Sequence, residues 1–196
     1  MIGLAPPLRR ATPADALALA EFVDMAGEGL PFYLWSRMAE AGEDPWEVGR
    51  RRAQRETGSF SYRNAILIEE AGASVACLIG YPLADMPEPI DYAKMPAMFV
   101  PLQELENLAP GTWYVNVLAT DPAHRGRGYG AKLLAIADEI ATDRKLNGLS
   151  IIVNDANEGA RRLYGRSGYR EIATRPILKD DWKNAGTNWV LLVKDH

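Results

Sequence analysis

The sequence contains a single cysteine, Cys77, and only two histidines among its 196 residues. One cysteine excludes an intramolecular disulfide, and because Cys77 lies in an apolar run we expect it to be a buried structural thiol. The residue types that bind metals show no cluster with the spacing of a metal site, so no metal is predicted.

Long apolar stretches and an excess of basic residues are also missing. No stretch approaches the roughly 18 residues of a membrane span, so no membrane partner is expected. The net charge is −4, which does not favour a nucleic-acid partner held through its phosphates. The N-terminal segment lacks the pattern of a secretory signal, and the expected location is the cytoplasm.

The composition is otherwise that of an ordinary globular protein, with 47% hydrophobic and 24% charged residues. The length favours one domain over residues 1–196. Hydrophobic periodicity predicts a mixed α/β protein (α+β) with helices on both faces of a sheet. A proline-rich insert, residues 82–111, separates the third and fourth strands. It is interpreted as a cover for the core, a lid or a subunit contact, and its apolar residues leave a homodimer open.

One glycine-rich segment, His124 to Ala131 (HRGRGYGA), joins a predicted strand at Trp113 to Thr120 to a predicted helix at Lys132 to Lys145. A helix start exposes unpaired N–H groups and the positive end of the helix dipole. Glycines let a bulky anion approach the backbone, and Arg125 and Arg127 add charged donors. The segment therefore predicts a pyrophosphate site. The simpler interpretation is a turn that only connects the strand to the helix.

This pattern resembles the acyl-CoA-binding loop of the GCN5-related N-acetyltransferases (the GNAT superfamily), Arg/Gln-x-x-Gly-x-Gly/Ala, filled here by Arg125, Gly128 and Gly130. The run from Asn157 to Tyr169 resembles the second signature of that family, Asn-x-x-Ala-x-x-Leu-Tyr-x-x-x-Gly-Phe/Tyr. The resemblance covers nearly the whole chain except the insert. It implies the GNAT fold, with a mixed, mostly antiparallel central sheet of six to seven strands.

The resemblance also implies a reaction, in which acetyl-CoA is the cosubstrate and the acetyl group passes directly to a primary amine of a small molecule or peptide. It implies a splayed central strand whose Leu118 and Thr120 N–H groups bind the pantetheine arm and the acetyl oxygen. Asn157 would bind the cofactor arm, and Tyr164 would protonate the departing sulfur. The simpler interpretations are a helix cap for Asn157 and a core residue for Tyr164. The cofactor-binding residues expected on this basis are Leu118, Ala119, Thr120, Arg125, Gly126, Arg127, Gly128, Tyr129, Gly130, Ala131 and Asn157.

The general base is left open by the sequence. The family often has a glutamate on the central strand, where this chain offers only Asn116. Glu28, in the loop after the first helix, is the candidate, and Glu104 and Glu106 in the insert are alternatives, as is a base that acts through water. Each of these acids is also interpreted, more simply, as a surface residue. The acidic net charge mildly favours a cationic acceptor amine.

Two other functions stay open. Gly126, Gly128 and Ala131 also fit the dinucleotide-binding pattern Gly-x-Gly-x-x-Gly/Ala, with Asp155 at about the 20-residue separation expected of a ribose-binding acid. That pattern would indicate an NAD-dependent oxidoreductase, although it leaves the run from Asn157 to Tyr169 unexplained. The missing strand glutamate favours a different alternative, a GNAT-like module that binds acyl-CoA without transferring the acyl group.

Overall fold

Seven strands and six α-helices make up the mixed α/β architecture of residues 2–196, the part of the chain described by the structure, which is a computed structural model. The strands are β1 (Leu8–Arg10), β2 (Ala65–Glu70), β3 (Ala73–Pro82), β4 (Trp113–Thr120), β5 (Gly148–Asn154), β6 (Arg170–Pro176) and β7 (Asn188–Asp195). The helices are α1 (Ala16–Ala26), α2 (Leu30–Met38), α3 (Pro45–Ala53), α4 (Val100–Glu106), α5 (Tyr129–Asp143) and α6 (Glu158–Arg166).

The strands form a seven-stranded, mostly antiparallel sheet, as the resemblance implied. Strands β1, β2 and β3 are antiparallel neighbours in that order. The other four strands are neighbours in the order β4-β5-β7-β6, with β4 parallel to β5 and the remaining pairs antiparallel. Dinucleotide-binding folds have mostly parallel sheets, so this topology does not fit the oxidoreductase alternative.

The chain divides into two compact units. The first unit contains Gly3–Gly80 and Asn116–Leu133, and the second unit contains Tyr81–Val115 and Leu134–His196 together with Ile2. The proposal of one domain over residues 1–196 stays a prediction.

The core of the first unit lies between β2 and β3 and the helices α1, α2 and α3. Leu19 of α1, Leu67 of β2 and Cys77 of β3 are fully buried there, which confirms the buried cysteine. The segment after α1 is rich in aromatic residues and forms α2. Its Trp35 stacks on Phe60 with ring centroids 6.1 Å apart. Aromatic burial therefore stabilises a helix in a segment with little local helix signal.

The insert covers the core of the second unit. Its only α-helix, among residues 2–196, is the short α4, in which Leu105 is fully buried against Leu191 and Val193 of β7. Both ends of the insert are held together, because the Gly111 N–H donates to the Ala84 carbonyl at 2.8 Å. The core-covering interpretation of the insert is therefore confirmed.

Candidate functional site

The glycine segment forms the connection between β4 and α5. This connection starts at Asp121, before the glycine segment itself; the Asp121 N–H donates to the Val75 carbonyl at 2.9 Å, and its carboxylate accepts the Ala123 N–H at 2.9 Å. Gly126 and Gly128 have φ values of +77° and +83°, a region that L side chains rarely adopt. A Cβ atom added to either residue would meet no protein atom within 4 Å. Backbone conformation, and not crowding by the protein, therefore calls for glycine at these positions.

Helix α5 begins at Tyr129, three residues earlier than predicted. The Gly128 carbonyl accepts a hydrogen bond from the Lys132 N–H at 3.0 Å, so the first turn already includes Gly130. Within the described part of the chain, the N–H groups of residues 128–131 donate to no acceptor. The start of a helix carries the positive end of its dipole, so these N–H groups suit a bound anion.

The two arginines of the segment have different contacts. Arg125 Nε donates to the Thr120 carbonyl at 3.2 Å, at the end of β4. Arg127 Nη1 donates to Glu70 Oε2 at 3.2 Å, and the Tyr129 hydroxyl donates to the same carboxylate. Both arginines are exposed. An exposed ion pair is worth about 1 kcal/mol or less, and a single hydrogen bond about 1 kcal/mol, so either guanidinium can turn towards an anion at small cost.

The last residues of β4 alternate in burial. Val117 and Ala119 are buried in the core of the first unit, whereas Leu118 and Thr120 are half-buried and point to the opposite face. Asn116 is exposed on that same face. The splay of the strand near Leu118 and Thr120 stays a prediction.

The second signature lies on α6 in the second unit. Asn157 is the N-cap of this helix, and its side-chain oxygen accepts the Ala160 N–H at 3.1 Å, which confirms the helix-cap interpretation. A cap is compatible with a further contact to a cofactor.

Tyr164 of α6 is 4% exposed and packs on Tyr169, with ring centroids 5.8 Å apart. Its hydroxyl has no hydrogen-bond partner among residues 2–196. Burial raises the pKa of the Tyr164 phenol, so the group stays protonated at neutral pH. The side chain is therefore a core residue and, at the same time, keeps the protonation state that a proton donor needs.

The candidate bases lie in different environments. Glu28 is exposed in the turn between α1 and α2, with φ +53°. Glu104 Oε2 accepts a hydrogen bond from Arg175 Nε at 2.6 Å. Glu106 is partly buried, and its carboxylate forms no hydrogen bond or ion pair with any residue of the described chain. Burial, and then the charge of Glu88, raises the pKa of Glu106 to about 7. Glu106 is thus the acid whose pKa suits a general base.

Sequence reasoning did not identify Asp24, a second acid with a raised pKa. Burial raises the pKa of this carboxylate, while the Phe32 N–H, which donates to its Oδ1 at 2.8 Å, acts in the opposite direction. In the sequence Asp24 is an ordinary helical acid, and no local pattern indicates that the chain folds over it.

Asp155, the acid of the dinucleotide-binding alternative, has a structural role. Its carboxylate accepts hydrogen bonds from the N–H and hydroxyl groups of Thr187, at 2.9 and 2.7 Å, and from the N–H and side-chain amide of Asn188, at 3.0 and 2.9 Å. Burial acts to raise the pKa of Asp155, but the four hydrogen bonds together outweigh it and lower this pKa. The carboxylate therefore fixes the start of β7.

Two kinds of feature are absent from residues 2–196. No group of three or more His, Cys, Asp or Glu side chains is arranged to hold a metal ion. No helix in this range combines the length and the apolar character needed to cross a membrane.

The model of the acetyltransferase (GNAT) family matches this chain over residues 32–169. The matched range covers more than half of the chain and includes both the glycine segment and the run from Asn157 to Tyr169. No curated protein sequence matches this chain.

Solved structures share the fold at low sequence identity. A crystal structure described as an acetyltransferase matches with a TM-score of 0.66 and 22% identity over 96% of this chain and 98% of that chain. An N-acetyltransferase from Staphylococcus aureus Mu50 matches with a TM-score of 0.61 and 19% identity over 95% and 98%. A GNAT family acetyltransferase from Elizabethkingia anophelis, solved with acetyl-CoA bound, matches with a TM-score of 0.50 and 18% identity over 67% and 75%. The chain therefore belongs to the acetyltransferase (GNAT) family, whose cosubstrate is acetyl-CoA.

Proposed function

We propose that the protein transfers an acetyl group from acetyl-CoA to a primary amine of a small molecule or peptide, by direct attack and without a covalent acyl-enzyme. The observation that carries the proposal is the start of α5, where the N–H groups of residues 128–131 are unpaired beside two exposed arginines. Acetyl-CoA supplies an activated acetyl thioester and a diphosphate by which it can be held.

The glycine segment supports the binding of a diphosphate. The unpaired N–H groups offer donors at the positive end of a 15-residue helix. The positive φ values of Gly126 and Gly128, with open space beside both α-carbons, allow a bulky anion to approach the backbone. In this proposal Arg125 and Arg127 add charge-assisted hydrogen bonds, and Leu118 and Thr120 offer N–H groups to the rest of the cofactor.

Direct transfer is supported by the environment of the cysteine. Cys77 is the only cysteine of the sequence and is fully buried. Burial, and then the charge of Asp15, raises the pKa of its thiol. A buried neutral thiol is a poor nucleophile, so Cys77 does not provide an acyl-enzyme route.

Tyr164 and Asn157 take the roles that the family resemblance implies. In this proposal the protonated hydroxyl of Tyr164 donates to the departing sulfur, and its lack of a partner within the described chain leaves it available for that contact. Asn157 binds the cofactor arm while its side-chain oxygen continues to cap α6.

The test is an acceptor screen that follows thiol release from acetyl-CoA with a panel of amines, combined with calorimetric measurement of acetyl-CoA binding. We expect acetyl-CoA to bind and at least one amine to release free CoA, with a mass gain of one acetyl group on that amine. If acetyl-CoA binds but no amine releases free CoA, the result would support the alternative of a module that binds acyl-CoA without transferring the acyl group. Absence of acetyl-CoA binding would contradict the diphosphate site itself.

A further inference from the structure

A cavity of about 200 Å³ lies in the second unit, within the proline-rich insert. The first residues of the insert, the side of α4 and Tyr81 at the end of β3 form its walls. The volume corresponds to roughly seven water molecules at their share of the liquid, which is enough for a small organic molecule. Neither family signature contributes a residue to these walls.

Hydrogen bonds to the backbone hold the walls of the cavity in place. The side chain of Asn107, in the turn after α4, accepts the Glu88 N–H at 2.9 Å and donates to the Glu88 carbonyl at 2.8 Å. The Leu83 N–H donates to the Thr112 carbonyl at 2.9 Å. These bonds tie the first residues of the insert to the turn after α4 and to Thr112, just before β4, so the cavity is a built feature of the fold.

The only charged side chains in the walls are two carboxylates, those of Glu88 and Glu106. Within residues 2–196 Glu106 has no cationic partner, whereas Glu104, two residues earlier on the same helix, is paired with Arg175. A partly buried carboxylate without a partner is costly when ionised. The cavity is therefore electrostatically suited to a cation.

The rest of the wall favours an organic cation over a metal ion. Leu83, Met86 and Pro110 provide apolar surface beside the two carboxylates. Hard divalent cations take about six or more oxygen ligands, which such a wall does not supply. A primary ammonium group on a short alkyl chain matches both the charge and the apolar surface.

An aromatic pair lies at one side of the cavity. Tyr81 packs edge-on against Tyr114, with ring centroids 5.6 Å apart and planes at 66°. Burial, and then the charges of Glu106, Tyr81 and Tyr164, raises the pKa of Tyr114. The Tyr114 ring therefore packs behind the part of the cavity wall that Tyr81 forms.

We propose that this cavity is the acceptor site, in which Glu106, assisted by Glu88, binds the ammonium group of a small alkyl amine. The acceptor assignment rests on the proposed transferase function, whereas the binding of the amine does not. In the reaction Glu106 takes one proton from the ammonium group, which leaves a neutral amine with a free electron pair and a protonated Glu106. The amine nitrogen then forms the new bond to the acetyl carbon as the carbon–sulfur bond breaks, and the electron pair of that bond leaves on sulfur, which takes the proton of the Tyr164 hydroxyl. The nitrogen then loses its second proton, which restores the Tyr164 hydroxyl by way of solvent, and Glu106 releases its proton to solvent.

The first test measures binding of n-butylammonium chloride at pH 8 without acetyl-CoA, by calorimetry or by NMR titration. We expect saturable binding, at least about tenfold weaker in Glu106→Gln, because one charge-assisted hydrogen bond is lost. Glu104→Gln removes a carboxylate from the same helix but outside the cavity, and should bind as the wild type does. Neutral 1-butanol should bind more weakly than n-butylammonium. No binding, or equal binding by wild type and Glu106→Gln, would overturn the proposal.

A second measurement does not depend on the variant. The carboxyl carbon of Glu106, followed by NMR in isotopically labelled wild-type protein, reports its protonation directly. Saturation with n-butylammonium should lower the pKa of Glu106, because a bound cation favours the carboxylate. An unchanged titration curve would overturn the proposal.

Kinetics with the best amine of the acceptor screen separate this proposal from the transferase function. A raised KM for the amine in Glu106→Gln, with acetyl-CoA affinity unchanged, supports the cavity as the acceptor site. Thiol release with an unchanged KM for the amine would overturn that assignment and leave the transferase function standing. Binding of n-butylammonium that depends on Glu106, with no thiol release for any amine, would overturn the transferase function and leave the binding site standing.

Discussion

Arg127 and Glu70 form an ion pair beside the glycine segment, with Nη1 and Oε2 3.2 Å apart. Because the Tyr129 hydroxyl donates to the same carboxylate, Glu70 holds both the second arginine of the segment and the first residue of α5. Glu70 is the last residue of β2, distant in sequence from both partners. The proposed diphosphate site therefore has a negative charge at its edge.

Replacement of that charge should strengthen cofactor binding. In Glu70→Gln an acceptor remains for the Tyr129 hydroxyl, but Arg127 is released to a bound diphosphate. We expect the affinity for acetyl-CoA to rise by up to about fivefold, which corresponds to the free energy of an exposed ion pair. The increase should be larger at low salt than at high salt, because salt screens exposed charges. Calorimetry at two salt concentrations measures this. Glu69→Gln, which removes a neighbouring carboxylate paired with Arg9, is the control. Weaker binding in Glu70→Gln would mean that the pair positions Arg127 for the cofactor.

A side chain at Gly128 should block the anion site. Gly128→Ala places a Cβ in open space next to the unpaired N–H groups and strains a residue at φ +83°. Gly42 also has φ +83° with open space around it, in the loop between α2 and α3. Both alanine variants should lose about 1 kcal/mol of stability. Only Gly128→Ala should lose acetyl-CoA affinity, by tenfold or more in calorimetry. Equal affinities would contradict the site.

Tyr164→Phe tests the proposed proton donor. Loss of the hydroxyl should lower kcat by about 100-fold, the usual scale of general acid catalysis, with little change in acetyl-CoA affinity. Tyr169→Phe is the matched control, because the Tyr169 hydroxyl is buried without a partner in the described chain and the ring packs on Tyr164. Removal of that hydroxyl should leave kcat unchanged and stability equal or higher. Similar kcat values for Tyr164→Phe and wild type would remove Tyr164 from the mechanism.

The raised pKa of Glu106 should appear in the pH dependence of folding. The pKa rises from the ordinary value of 4.5 to about 7, so between these pH values the folded state keeps a proton that the unfolded state loses. Wild-type stability should therefore fall as pH rises through this window, by about 3 kcal/mol in total. Glu106→Gln has no carboxyl group at this position and should lack this loss. The free energy of unfolding of Glu106→Gln minus that of wild type, measured with urea, should therefore increase from pH 4.5 to pH 8. A constant difference would contradict the raised pKa.

Strand β4, before the glycine segment, and the helix cap at Asn157 were predictable because their signals are local. The alternating aromatic and β-branched residues of β4 gave its bounds, Trp113–Thr120, without any tertiary information. The cap at Asn157 is local as well, because its side-chain oxygen accepts the N–H of Ala160, three residues later. The start of α5 was predicted too late, because glycine is a poor helix former and Gly130 lies in the first turn.

The electrostatic details could not be predicted because they depend on long-range contacts. Glu104 and Glu106 are both helical acids of the insert in the sequence, yet only Glu104 meets an arginine, Arg175 of β6. Likewise, no sequence pattern indicates that Glu70 lies beside Arg127. Such pairings follow from the packing of distant elements, which hydrophobic periodicity does not specify.

Asn107 binds both backbone groups of Glu88, so one amide side chain joins the two sides of the insert that enclose the cavity. The residues that shape this space belong to a segment that is separate in sequence from the turn proposed to hold the acetyl donor. If both proposals hold, a chain with the same donor turn and a different insert should keep its chemistry and change its choice of amine. The two proposals together thus predict that selectivity diverges by exchange of one connecting segment.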